Sequence, residues 1–180
     1  LLSWFENKSL RMEIMPTPTY TLIDSVTLAS SASSVTFSSI DQSYGDLVLV
    51  INAFAGADSI GASLRFNSDT GSSYSWVRMS ANGTSTFSDA ASSSTSIPAY
   101  AYSTPDPGES GMWIINVMDY SAIDKHKSVI LRAASVDGTD TIAGRWASTS
   151  AITAVEFFVS NPNALGIGTT LFLYGIAKAL

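Results

Sequence analysis

Apolar and polar residues alternate over short segments along most of this chain. From Thr19 onward, runs rich in Val, Ile, Thr and aromatic residues are separated by clusters of Gly, Asn, Asp, Ser and Pro. This pattern predicts about ten short strands and no amphipathic helix, which is typical of an antiparallel β-sandwich or jelly roll. We therefore expect an all-β fold, with a single sandwich domain over residues 16–180.

Three local signals refine this prediction. Asn82-Gly83 and Asp137-Gly138 favour the tight turns that join antiparallel strands. Ser88–Ser96 is of low complexity, so we expect a flexible surface loop there. Ile97–Tyr102 is expected to be an edge strand, because Pro98 lacks the amide donor that a central strand needs. Apolar positions of the other strands predict the core: Leu47, Leu49, Ile51, Phe66, Ile115, Val117, Ile130, Phe157, Leu171 and Leu173.

The stretch from Leu64 to Met79 places a polar turn between two strand-like runs. We expect a β-hairpin there, with Arg65 and Arg78 on opposite legs, each facing solvent or a partner. Within the turn, Asn67-x-Asp69-x-Gly71 has part of the pattern of a calcium loop, but the downstream bidentate Glu is missing. An Asx turn, in which the Asp side chain binds its own backbone, explains the same residues without a metal.

The same stretch resembles a recurrent module in structural proteins of tailed phages, especially phages of cyanobacteria and other aquatic bacteria. The resemblance rests first on Arg65–Tyr74, which reads RFNSDTGSSY. Further segments match in order: Tyr20–Ile23 with Ser25–Leu28, Tyr44–Leu49, and Thr169–Ile176. These motifs are strand and turn signatures, and the resemblance extends over most of the chain, from about Thr19 to Lys178.

The resemblance implies a non-enzymatic virion protein that is assembled in the host cytoplasm. The leading interpretation is a capsid decoration (cement) protein that binds the major capsid protein or other virion proteins and forms a homo-oligomer, with a trimer as the first expectation. The alternative is a head-fibre or tail-fibre adhesin that binds host-surface glycans. In that case Tyr100 and Tyr102, which share one face of the Pro98 segment, are candidates to stack on sugar rings.

The aromatic residues as a set have two interpretations: exposed in a row on one sheet they would form a sugar-stacking platform for an adhesin, and otherwise they fill the core of the sandwich. That set comprises Trp76, Trp113, Trp146, Tyr74, Tyr100, Tyr102 and Tyr120.

Residues 1–15 differ from the rest of the chain, because their apolar residues form a loose helical stripe. We expect an N-terminal arm that contacts a neighbouring subunit through Leu2, Trp4 and Phe5. An upstream extension without a role is the alternative. Oligomerisation is also expected because few charges or prolines guard the strand that ends at Lys178, and an unguarded edge strand is usually covered.

Composition narrows the range of partners. The net charge is −6 and only 13% of residues are charged, with nine scattered Lys and Arg residues, so no nucleic-acid partner is expected. No apolar run approaches the ~20 residues that span a bilayer, so no membrane partner is expected either. The absence of cysteine excludes disulfides and cysteine-ligated metals.

Catalytic chemistry finds little support in the residues. His126 is the only histidine and lies between Lys125 and Lys127, which indicates a solvated loop rather than a nucleophilic site. The carboxylates form no pair suited to glycoside hydrolysis, so a glycan-active enzyme remains only the third alternative. We expect no catalytic residues, cofactor or metal.

Overall fold

The computed structural model describes residues 18–56, 60–100, 105–160 and 164–178. This part of the chain contains twelve β-strands, and it has no helix with the length and apolarity needed to cross a membrane. The strands are β1 (Tyr20–Thr27), β2 (Ser34–Phe37), β3 (Asp46–Phe54), β4 (Ala62–Phe66), β5 (Tyr74–Ala81), β6 (Thr86–Ser94), β7 (Ile97–Pro98), β8 (Ser110–Met118), β9 (Lys127–Ala134), β10 (Thr139–Trp146), β11 (Val155–Val159) and β12 (Thr170–Ile176).

The strands form two antiparallel sheets. The large sheet has eight strands in the order β1-β12-β3-β8-β9-β10-β5-β6, and the small sheet has four in the order β2-β11-β4-β7. Every connection between successive strands crosses from one sheet to the other, except the hairpin turns β5–β6, β8–β9 and β9–β10. The predicted antiparallel β-sandwich is therefore confirmed.

The topology is that of a jelly roll with two inserted hairpins. Without β5–β6 and β9–β10, the large sheet would be β1-β12-β3-β8, facing β2-β11-β4-β7, which is the eight-stranded double wind of a jelly roll. The inserted strands continue the large sheet beyond β8, so it becomes twice as wide as the small sheet. Its last strands, β5 and β6, therefore extend to the border of the second layer.

The core fills the space between the sheets. Trp113 and Phe157 face each other across it with ring centroids 5.7 Å apart, and the Trp113 indole donates to the carbonyl of Ala99 at 2.6 Å. The sheets approach closely at Gly144, where a Cβ would lie 2.7 Å from the Cδ1 atom of Ile97. Nine predicted core residues are buried: Leu47, Leu49, Ile51, Phe66, Ile115, Val117, Phe157, Leu171 and Leu173.

Two of the predicted turns are confirmed. Asn82 begins the β5–β6 turn, and its side-chain oxygen accepts from the amides of Thr84 (3.1 Å) and Ser85 (2.8 Å). Gly83 adopts a positive φ of 87° in that turn, a conformation that costs glycine little. Gly138 lies in the β9–β10 turn, where its carbonyl accepts from the amide of Ser135 at 3.0 Å.

Two predictions about individual segments are wrong. Ser88–Ser96 is not a flexible loop, because β6 covers most of it and pairs with β5, which satisfies the backbone despite the low strand propensity of Ser and Ala. Ile130 is not a core residue and is 41% exposed. The two-residue period of β9 places Val129 and Leu131 on the inner face and turns Ile130 outward.

Two predictions about strand pairing are also wrong. The stretch from Leu64 to Met79 is not a hairpin: β4 lies in the small sheet and β5 in the large sheet, so the turn between them crosses from one layer to the other. The strand that ends near Lys178 is not an edge, because β12 is hydrogen-bonded to β1 on one side and β3 on the other. The predicted edge position of the Pro98 segment is confirmed, since β7 is the last strand of the small sheet.

Candidate functional site

The turn that crosses between the sheets, residues 67–73, is hydrogen-bonded to the segment that precedes β11. The Asn67 side-chain amide donates to the carbonyl of Ala151 at 2.8 Å, and its oxygen accepts from the amides of Thr153 (2.8 Å) and Ala154 (3.0 Å). One side chain thereby attaches the segment before β11 to the end of β4. Both the amide group and the oxygen of the Asn67 side chain therefore have partners within the protein.

The Asp69 carboxylate is also occupied by protein donors. One oxygen accepts from the amide of Gly71 at 2.8 Å, which confirms the predicted Asx turn, and the other accepts from the Trp146 indole at 2.7 Å. The Trp146 hydrogen bond is the main reason why the pKa of Asp69 lies below its usual value. Beside it, burial raises the pKa of Tyr74 to about 12, and the Tyr74 hydroxyl accepts from the amide of Phe66 at 3.0 Å.

The charged loop between β8 and β9 contains His126 and ends at a buried lysine. His126 is exposed, as predicted. The adjacent Lys127 is buried, and its ammonium group donates to the carbonyl of Lys125 at 2.9 Å. Burial lowers the pKa of Lys127. Across residues 18–56, 60–100, 105–160 and 164–178, no three carboxylate or imidazole side chains converge as metal ligands.

The outer face of the large sheet carries an apolar surface, which we call the belt. It consists of two adjacent rows of cross-strand neighbours that together traverse all eight strands, a span of about 34 Å at ~4.8 Å per strand. Its exposed or half-buried apolar members are Leu22, Phe172, Tyr174, Val50, Ile114, Ile130, Ala143, Val77, Met79 and Ala90. Val48 is buried among them, and the polar residues Asn116, Thr141 and Ser88 lie in the same rows. Met79 is 67% exposed, Val77 56% and Leu22 51%. Arg132 is the one charged residue in these two described rows.

The two ends of the belt differ in shape. At the β1–β12 end, which we call the bulky end, the Tyr20 and Tyr174 rings meet edge to face at 6.5 Å, and Phe172 stacks on Tyr174. At the β10–β5–β6 end lies a depression of about 560 Å³, which we call the hollow. Small residues such as Ala90 and Ala143 line it.

On the inner face of the β5–β6 hairpin, Arg78 lies at the centre of a cluster of aromatic rings. Its guanidinium pairs with both carboxylate oxygens of Asp89, at 2.9 and 2.7 Å, and donates to the carbonyl of Tyr100. The same group lies 5.4 Å from the ring centroid of Trp76, 5.3 Å from that of Phe87 and 5.9 Å from that of Tyr100. Arg78 therefore points inward and is only 11% exposed, so the prediction that it faces solvent or a partner is wrong.

Beside this cluster an open groove of about 370 Å³ lies between the end of β6 and the edge strand β7. Trp76 and Tyr100 supply its aromatic surface. The remaining lining residues are small or hydroxylated: Ser63, Ser93, Ser94, Thr95, Ser96 and Pro98. The Trp76 indole donates to the Ser94 hydroxyl at 3.1 Å. Aromatic faces and hydroxyl groups thus line the same concave surface.

The predicted contact residues have different outcomes. Tyr100 lies in the groove and is 39% exposed, whereas Tyr102, Leu2, Trp4 and Phe5 lie outside the described residues. The core interpretation is confirmed for four aromatic residues that are buried: Trp113, Trp146, Tyr74 and Tyr120.

Sequence reasoning did not predict the pairing of Arg78 with Asp89 beside the groove. A signal was available, because extending the register from the Asn82-Gly83 turn places Arg78 directly opposite Asp89.

No family model and no curated protein sequence matches the chain. A crystal structure of a protein of unknown function from Shewanella oneidensis MR-1 aligns with 91% of this chain and 78% of its own chain, at 10% sequence identity and a TM-score of 0.21. A likeness of this size supports no conclusion about fold or function. The function must therefore be inferred from the geometry of the chain itself.

Proposed function

We propose that this chain is a non-enzymatic structural subunit of a virion surface, namely a decoration (cement) protein that assembles through the belt. The belt is the observation that carries the proposal. An antiparallel sheet with one face in water normally presents polar side chains there, and large contiguous apolar patches usually mark protein contacts. The resemblance of the strand and turn motifs to modules of phage virion proteins supports the virion setting.

A second copy of the chain is the occupant that we propose for the belt. The bulky end offers large aromatic side chains, namely Tyr20, Phe172 and Tyr174, while the hollow is a depression lined mostly by small residues together with Trp76, Val77 and Arg145. Bulky aromatic side chains and an apolar depression on the same molecule are complementary when one copy presents its bulky end to the hollow of the next. Such a contact would cover the most exposed part of the belt.

Charge at the two ends favours the same arrangement. Arg145 lines the hollow, whereas the exposed Asp24 lies on β1 near the bulky end. A head-to-tail contact would bring these opposite charges towards each other, while a contact between two equivalent ends would bring like charges together. The proposed contact is therefore heterologous, and a heterologous contact that closes produces a ring, with a trimer as the simplest expectation.

This proposal replaces the edge-strand argument for oligomerisation, because β12 has partners on both sides. It keeps the N-terminal arm, residues 1–15, as a further contact to the particle or to a neighbouring subunit. The major capsid protein remains the proposed lattice partner. Host glycan binding by a fibre is the alternative function, and the groove beside Tyr100 is the feature that supports it.

The assembly proposal can be tested by blocking each end of the belt separately. We expect Leu22→Glu, at the bulky end, and Val77→Glu, at the hollow, each to convert the oligomer into a monomer in analytical ultracentrifugation, because either change buries a charge in an apolar contact. Ile123→Glu is the matched control, since Ile123 is 77% exposed and lies outside the belt. It should leave the oligomer intact.

Mixing the two monomeric variants distinguishes a heterologous contact from a symmetric one. Val77→Glu retains an intact bulky end and Leu22→Glu an intact hollow, so an equimolar mixture should form a heterodimer with one contact. A mixture that stays monomeric would contradict the head-to-tail contact. A wild-type chain that is monomeric at high concentration and is absent from purified virions would contradict the decoration function itself.

A further inference from the structure

The aromatic wall of the groove is held in place by contacts within the protein. Arg78 lies among the rings of Trp76, Phe87 and Tyr100, and its paired carboxylate, Asp89, fixes the guanidinium in place. The indole of Trp76 is fixed at its other edge by Ser94. Rings that are held in this way lose little conformational entropy when a ligand stacks on them.

The rest of the groove is lined by hydroxyl groups that the backbone brings together. Opposite Tyr74 and Trp76 the register of β6 shifts, which marks a β-bulge, and Ser93 within it adopts a positive φ of 57°. Bulges redirect side chains and are common beside binding sites. Here the bulge lies where β6 leaves the large sheet, and the Ser and Thr residues that follow it line the groove.

The charges next to the groove are already paired. Asp89 uses both carboxylate oxygens on Arg78, and Arg65, which lies within 3.5 Å of the Thr95 carbonyl, pairs with Glu156 at 3.1 Å. An anionic ligand would have to compete with these carboxylates for the two arginines. A neutral ligand meets no such competition.

We propose that this groove binds a neutral oligosaccharide. A sugar ring has an apolar C–H face that stacks on an aromatic ring and a rim of hydroxyls that both donate and accept, and the groove supplies partners for both. Its volume suits a small ligand such as one or two sugar units of a longer chain. The proposal does not depend on the assembly proposed above, because the belt lies on the opposite face of the sheet.

The test is isothermal titration calorimetry of the full chain with three neutral probes, namely maltohexaose, cellohexaose and mannohexaose, and with oligosialic acid as the anionic comparison. We expect saturable binding of at least one neutral hexasaccharide. Tyr100→Ala should weaken it about tenfold or more through loss of the stacking surface, whereas Tyr100→Phe should retain it. Phe54→Ala removes an aromatic ring of similar exposure, 41% against 39% for Tyr100, that lies outside both the groove and the belt, and it is the matched control with unchanged affinity.

Thermal melting of each variant shows whether the fold is retained, and Tyr100→Ala should melt with the wild type because Tyr100 is a surface residue. Three results would overturn the proposal. The first is that none of the neutral hexasaccharides binds and an array of neutral glycans gives no signal. The second is binding that Tyr100→Ala leaves unchanged, and the third is binding of oligosialic acid alone. The last result would assign the groove to an anionic ligand.

Discussion

Two aromatic clusters lie along the inner row of β5, and each combines several rings with one carboxylate. The closed cluster consists of Phe66, Asp69, Tyr74 and Trp146, and the open cluster of Trp76, Arg78, Phe87, Asp89 and Tyr100. In the closed cluster Trp146 is 3% exposed, and the carboxylate serves the indole and the turn. In the open cluster Tyr100 and Phe87 are about two-fifths exposed, and the carboxylate serves an arginine.

The difference follows from the width of the second layer. Tyr74 lies beneath the end of β4 and the turn that crosses between the sheets, so its cluster is covered. The small sheet ends at β7, which is only two residues long, so Arg78 and its rings lie at the border of the sandwich. Similar side chains on one strand therefore stabilise the fold where they are covered and form a binding surface where they are not.

The strongest test of this comparison is to replace one tryptophan in each cluster by alanine. Trp146→Ala should lower the free energy of unfolding by about 3–5 kcal/mol, because it leaves a cavity and removes the indole donor from Asp69. Trp76→Ala should cost much less, about 1–2 kcal/mol, because its indole is only half-buried. Urea denaturation of both variants measures the contrast, and equal costs would show that coverage does not separate the clusters.

Asn67→Ala should have the next largest effect, about 2–3 kcal/mol. It leaves the amides of Thr153 and Ala154 without their acceptor, and it places alanine at a φ of 50°, a left-handed conformation that Asn tolerates better than Ala because its polar side chain can bond nearby backbone. Asn82→Ala is the matched control, because it removes an Asn acceptor from an exposed turn and should cost only about 1 kcal/mol. If Asn67→Ala lowers the free energy of unfolding no more than Asn82→Ala does, the Asn67 side chain does not hold the two segments together.

Asp69→Asn should lower stability by about 1–2 kcal/mol at neutral pH, because a charge-assisted hydrogen bond from Trp146 becomes a neutral one. The folded-state pKa of Asp69 lies below its usual 3.8, so its ionised form stabilises the fold above that value. This contribution is lost as pH falls from about 4 through the folded-state pKa. The free energies of unfolding of the wild type and the variant should therefore converge as the pH is lowered from 7 to 3. A difference that stays constant over this range would contradict the stabilising role of the Asp69 carboxylate.

The smallest effect is expected at Asp89. Its ion pair with Arg78 is partly exposed, so Asp89→Asn should change the free energy of unfolding by less than about 1 kcal/mol. Chemical denaturation of the single variants Asp89→Asn and Arg78→Gln and of their double variant gives the coupling energy. A coupling energy above about 2 kcal/mol would show that the open cluster, like the closed one, contributes to the stability of the core.

Local signals in the sequence predicted local features well. The two dipeptide turns and the alternation of Leu47, Leu49 and Ile51 depend on neighbours in the chain, and the structure has them as predicted. The partner of β4 is β11, which lies late in the chain, so no short-range pattern could show that Asn67–Ser73 crosses between sheets. The Asn82-Gly83 turn predicted the start of β6, but its continuation over Ser88–Ser94 was missed because these Ser and Ala residues gain strand structure only by pairing with β5.

The candidate sites show the same division. Tyr100 was selected from spacing and lies in the groove, whereas Arg78 was assigned to solvent because the position of the second layer decides where it points. The belt was not predicted from the sequence, because its rows combine residues from eight strands, many of them distant in sequence.

The strand order of the roll also determines when its parts can form. The sheet partner of β1 is β12, and that of β2 is β11, so both strands must wait for segments that are synthesised more than a hundred residues later. The β5–β6 and β9–β10 hairpins, by contrast, join neighbours in the chain and can form as soon as they emerge. Closure of the roll is therefore a late step in folding, and the hairpin that carries the groove can be shaped before the two sheets that support it are complete.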